Sequence, residues 1–211
     1  MAAEPLDEPN LTARLRNAKA DYEARWKLID GELYALCRRL RHDDFDEVFA
    51  KVAIVGRVYA AGVTRSWRGE GDPETGTARA LIEQASLVQD GLRRLEDRPL
   101  DQQTAGEIVQ LHAAVTRAIS RLSVRFLTSF VSKYLHFHSP LVPIFDSRAD
   151  AAIGKLVGGK RVRDVRNALP EGVGAYRKFL AGFVTLHERA YAETTLEPSV
   201  KELDHLLWRL S

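Results

Sequence analysis

A single cysteine and a single methionine in 211 residues are the scarcest features of this sequence. Cys37 has no partner for an internal disulfide, and its place in LYALCRRL, among helix-spaced apolar residues, reads as a small buried hydrophobe and not as a nucleophile. No uninterrupted apolar run approaches the roughly 20 residues of a membrane span. The start, MAAEPLDEPN, is acidic where a secretory signal would be basic and then apolar. A cytoplasmic protein with no membrane partner is therefore expected. Strand signals are missing too, since no stretch alternates apolar and polar residues for long between turn residues. A net charge of +2 is too small to argue for a nucleic-acid partner by its sum alone.

Helical spacing fills the space these absences leave. Trp26, Ile29, Leu33, Leu36, Cys37 and Leu40 step by three and four. RHDDF then offers acidic N-caps to a helix carrying Phe45, Val48, Phe49, Val52, Val55 and Val58. WRGEGDPETG, residues 67 to 76, reads as a loop because three glycines and a proline crowd into it. Helical periodicity resumes at Leu81, breaks at EDRPLD, returns through Ile108, Leu111, Val115 and Ile119, and continues with Leu122, Phe126, Phe130 and Tyr134. GGKRVRDVRNALPEGVG reads as a connector with an arginine-rich middle, and two further helices follow it. With 45% hydrophobic and 28% charged residues, the expectation is one all-α domain over 1–211, a compact array of about eight helices, with room for a two-lobed arrangement around residues 132–148.

That segment, SKYLHFHSPLVPIFDSR, is the least like scaffolding. Lys133, His136, His138, Asp146 and Arg148 stand among Leu135, Phe137, Leu141, Val142, Ile144 and Phe145, and burying unpaired ionisable groups is costly. Pro140 and Pro143 must stop the helix that carries Lys133, and Asp146 sits where an N-cap would, just ahead of SRADAAIGKLV. A helix, a tight turn and a cap would let Lys133 and Asp146 meet although thirteen residues separate them. As a cap and a snorkelling lysine, the same two residues need no activity at all. His136 and His138 could join Asp146 in a two-histidine, one-carboxylate metal site, but no recognised metal-ligand spacing supports one, and no cofactor is expected.

Charge is unevenly spread. Between Arg148 and Lys178 eight basic residues face three acids, an excess of five, and arginine outnumbers lysine 23 to 8 over the whole chain. Arginine's planar fork suits phosphate, although a solvated basic face is the plainer reading. The glycines of ALPEGVGAYRKFL could expose backbone amides to a phosphate at the start of a helix. Arg57, Tyr59, Trp67 and Trp208 are further polar or aromatic candidates without a motif around them.

SKYLHFHSPLVPIFDSRA resembles the segment of helix-hairpin-helix DNA glycosylases, in particular the 8-oxoguanine glycosylase-like branch, in which a lysine-bearing helix leads through a proline turn to an aspartate at a helix start. DDFDEVFAKVAIVGRVYAAGV is similar to an early core helix of that family. The usual glycine hairpin does not precede Lys133, and LPEGVG comes after the aspartate instead. The resemblance implies a DNA glycosylase in which Asp146 stabilises positive charge on the sugar, Lys133 forms a Schiff base with associated abasic-site lyase activity, and the partner is DNA with its target base flipped out. His136, His138, Ser147, Arg148, Lys160, Arg161, Arg163, Arg57, Tyr59, Trp67 and Trp208 would then contact substrate or flanking phosphates. The competing reading is a non-catalytic all-α nucleic-acid-binding or interaction module of a bacterial stress or phage-defence locus; a weaker third is a metal-dependent hydrolase using the two histidines.

Overall fold

Short polar side chains decide where most helices begin. In the computed structural model, which describes residues 10–39, 41–59, 63, 71–121 and 127–210, Asn10 caps α1 (Leu11–Arg25), Asp44 caps α3 (Phe45–Val58) and Asp72 caps α4 (Pro73–Ile82). Asp101 caps α6 (Gln102–Ser120), and Asp146 caps α8 (Ser147–Leu156). Each accepts a hydrogen bond from an amide two or three residues ahead, replacing one that the helix cannot make itself. Ser199 and Glu202 form a reciprocal capping box on α11 (Val200–Arg209). The remaining elements are α2 (Lys27–Arg39), α5 (Ala85–Arg93), α7 (Thr128–His138), α9 (Gly159–Ala168) and α10 (Tyr176–Glu193).

The described residues are thus all-helical, as expected, but hold eleven helices where about eight were expected. Two differences have clear local causes. Pro73 in WRGEGDPETG is no loop residue: it occupies the first turn of α4, where its missing amide hydrogen costs nothing, and Gly76 is carried inside that helix. The arginine-rich connector is the helix α9, because Val162, Val165 and Leu169 give it an apolar stripe at helical spacing. Leu40, Gly62, Trp67, Leu122 and Phe126 lie outside the described residues.

A core of buried apolar residues runs from Leu11 in α1 to Leu207 in α11. Within α7 every residue except Ser129 and His138 is buried, so this helix is surrounded, with α2, α3 and α6 packed on it. α9 lies on α10, α1 on α11, and α8 against both α10 and α11. A smaller apolar cluster, Leu33, Cys37, Val55 and Phe137, joins α2, α3 and α7, with Tyr34 and Tyr59 packed against it. None of the helices among the described residues is long and apolar enough to cross a membrane.

α9 and α10 form a helical hairpin through the LPEGVGA turn. Gly174 takes φ +60°, and a Cβ there would come within 2.9 Å of Thr128 Oγ1, so glycine is required on both counts. Arg177 closes the turn, bonding Leu169 O at 2.8 Å and Glu171 at 2.9 Å.

Candidate functional site

The proline turn between α7 and α8 is fixed at three backbone points. Ser132 Oγ accepts from the Phe145 amide at 2.9 Å, the Nδ1–H of His136 donates to Val142 O at 2.7 Å, and Tyr176 O–H donates to Pro143 O at 2.9 Å. These bonds bring Asp146 to the start of α8, where its Oδ1 accepts from the Arg148 amide at 2.8 Å and the rest of the side chain stays half-buried.

Lys133 and Asp146 share one neighbourhood. The Lys133 side chain is buried, and its Nζ donates to the backbone carbonyl of Tyr59 at 3.0 Å and lies 6.0 Å from the centre of the Tyr59 ring. Burial lowers the pKa of this amine; the carboxylates of Asp146 and Asp204 oppose the shift, and the ammonium of Lys201 adds to it. No carboxylate of the described residues makes a direct ion pair with it.

The network behind Lys133 carries no local sequence signature. Lys201, on α11, reaches Asp204 at 3.1 Å, Asp30 at 3.4 Å and the Tyr59 hydroxyl at 3.2 Å, with its Nζ 5.1 Å from the Tyr59 ring centre. Tyr59 O–H in turn donates to Asp30 Oδ1. Asp30 is wholly buried on α2. Burial works against the Lys201 charge, but Asp204 and Asp30 outweigh it and hold this ammonium above its ordinary pKa. Burial raises the Asp204 carboxyl, and Lys201 restrains the rise. Tyr22 beside Asp30 is pushed up to about 12 by burial and by that carboxylate.

His136 and His138 face different surroundings, as their i, i+2 spacing requires. Tyr34 O–H donates to His136 Nε2 at 2.5 Å, so with Val142 O both ring nitrogens of His136 are engaged. His138 donates from Nδ1 to Tyr134 O at 2.7 Å and lies 4.5 Å, ring to ring, from His42. The hydroxyl of Tyr134 and the Nε2 atoms of His42 and His138 are buried without a hydrogen-bond partner among the described residues. Burial and the neighbouring Lys51 bring His42 down to about 3, and Lys51 itself is brought by burial to about 8. His136, His138 and Asp146 do not converge as a metal site, and among the described residues no group of three His, Cys, Asp or Glu side chains is placed to hold an ion.

The expected phosphate contacts divide. Ser147, Arg148, Lys160 and Arg163 are exposed at the start of α8 and on α9. Arg161 instead pairs with Glu188 at 2.8 Å, and Arg57 with Glu74 at 3.5 Å. Lys178 and Arg177 pair with Asp150 and Glu171, acids already counted in the excess of five, so Glu188 is the acid from outside the segment that offsets part of it. Trp208 is half exposed and stands edge-on to Trp26 at 5.9 Å and stacked on His205 at 5.5 Å. Trp67 lies outside the described residues.

No protein-family model, curated protein or solved structure matches this chain.

Proposed function

We propose that this chain is a DNA base-excision enzyme, a glycosylase acting on a damaged or modified base, with Asp146 as its carboxylate and Lys133 as its amine. One observation carries the reading: a buried lysine with no direct acidic partner among the described residues stands within the electrostatic reach of an aspartate at a helix start. Departure of a base leaves oxocarbenium character on the sugar, which a fixed carboxylate sheltered from water stabilises. A lysine of lowered pKa supplies the uncharged amine that condenses with the aldehyde of an abasic sugar, forming C=N with loss of water. The base must leave the stack to reach such a site, and Arg148, Lys160 and Arg163, exposed and in no ion pair among the described residues, are suited to holding flanking phosphates.

The cap geometry of Asp146 favours a second reading, because its bond to the Arg148 amide accounts for the residue without chemistry. In that case the chain is a non-catalytic nucleic-acid-binding or interaction module. Asp146→Asn separates the two. Asparagine caps about as well as aspartate but carries no charge. Incubation with duplexes carrying different modified bases, followed by alkaline cleavage, identifies the substrate. On it the variant should fold and bind but lose excision by at least roughly 100-fold. Lys133→Gln should abolish borohydride trapping. Full excision by Asp146→Asn would leave the aspartate a cap and nothing more.

The electrostatic part has its own test. Lys160→Glu with Arg163→Glu breaks no ion pair seen among the described residues, unlike any change at Arg161. Duplex affinity should fall, and the slope of log affinity against log salt should shrink by about one unit for each phosphate no longer neutralised. An unchanged slope would make α9 a solvated surface.

A further inference from the structure

Two buried lysines meet at one tyrosine, and their partners differ in kind. Lys201 touches two carboxylates, Asp30 at 3.4 Å and Asp204 at 3.1 Å, together with the Tyr59 hydroxyl. Lys133 donates, among the described residues, to the carbonyl oxygen of the same tyrosine, at 3.0 Å, and to no carboxylate. Both amines lie over the Tyr59 ring, at 5.1 and 6.0 Å from its centre. Tyr59 itself cannot drift: its hydroxyl donates to Asp30, and its ring packs on Phe137 at 5.0 Å.

We propose that Lys201 is a positioning residue for Lys133: locked between Asp30 and Asp204, it holds Tyr59 in place against the Lys133 amine and, as a like charge at the same ring, works alongside burial against the Lys133 ammonium. A lysine next to another fixed cation in a desolvated site is one of the established ways to free an amine lone pair near neutral pH. Lys201 suits the part of the fixed cation because its two carboxylates touch it directly and favour its charge, whereas among the described residues Lys133 is bonded to a neutral carbonyl and feels Asp146 and Asp204 only at a distance. The directions of the two shifts agree with the geometry, Lys133 lowered and Lys201 raised. The groups facing Lys133 are Asp146 from α8, Asp204 and Lys201 from α11, and Tyr59 from the end of α3. The carboxylates pull the amine toward its charged form, and burial together with Lys201 pushes it away.

This inference rests on reading Lys133 as the reacting amine, yet its test needs no DNA. The Cε resonances of the eight lysines, followed by carbon-13 NMR of lysine-labelled protein from pH 6 to 11, report each amine directly. Lys133 should titrate below the ordinary lysine value of about 10.4. Lys201→Arg keeps the fixed cation and should leave the Lys133 midpoint in place. Lys201→Met alone strands two buried carboxylates, so the discriminating variant is Lys201→Met with Asp30→Asn, which should raise the Lys133 midpoint by about one pH unit. Asp204→Asn should move it the other way. A Lys133 that titrates at the ordinary lysine value, or that ignores the loss of Lys201, overturns the proposal. A Lys133 that behaves as stated in a protein that excises no base from any duplex would sink the glycosylase reading and leave the pairing of the two lysines standing.

Discussion

Acidification should unfold this protein early, with a midpoint between about pH 4.5 and 5.5, before its carboxylates take up protons. Five of the six histidines have lowered pKa values. Burial is the main cause each time, reinforced by Lys51 at His42 and by Lys201 at His136, which both fall to about 3, while His112 falls to about 4. A histidine whose folded value lies below its unfolded value of about 6.5 binds its proton first in the unfolded chain. Its contribution is therefore fully present above pH 6.5 and is lost as pH falls toward the folded value. Two units below 6.5, each deeply buried histidine costs roughly 2–3 kcal/mol. Four such residues, His42, His112, His136 and His138, together cost on the order of 10 kcal/mol, comparable to the whole stability of a typical domain. Circular dichroism at 222 nm across pH 8 to 3, with urea titrations at several pH values for the proton uptake, measures this. Helix retained at pH 4 with uptake below one proton would show that the histidines are not held neutral.

Lys201→Met should be the most damaging single substitution in the buried network, costing about 3–5 kcal/mol by leaving Asp30 and Asp204 in the interior without their cation. Methionine matches the length of the lysine stem, so lost packing contributes little. Asp204, already raised by burial, would take up a proton more readily without Lys201 and recover part of the loss. Adding Asp30→Asn should restore more of it, because the Tyr59 hydroxyl keeps an acceptor while the remaining unpaired charge disappears. Urea denaturation of the two variants reads the difference. Equal stability in wild type and Lys201→Met would mean that solvent reaches this network.

Parts of this arrangement were legible in the chain. Asp44 and Asp146 could be read as caps because each precedes an apolar stripe at helical spacing; the direct meeting expected of Lys133 and Asp146 is not seen, and the aspartate acts on the lysine only through its charge. α4 and α9 escaped because proline and glycine were weighed as breakers, when the first sits at N1 and the others flank a stripe of valines and leucine. Lys201, Asp30 and Asp204 escaped for another reason. They converge from α2 and α11, far apart in sequence, and each looks like the polar face of an ordinary helix. A weak signal was present at Asp30, which stands three residues before Leu33 and seven before Cys37, in register with a buried apolar row. A charge in such a register needs a buried partner, but nothing local says which.

The turn from Ser139 to Asp146 is held by Val142 O, Pro143 O and the Phe145 amide, and all three are main-chain atoms. Such anchors do not distinguish one side chain from another; they measure how many residues separate them. Leu141, only partly buried, can therefore be exchanged for other apolar residues without moving the carboxylate of Asp146. A single inserted residue offers Ser132 and His136 the wrong amide and the wrong carbonyl, and turns α8 about its own axis. In this stretch the chain is constrained as a ruler and tolerant as a text.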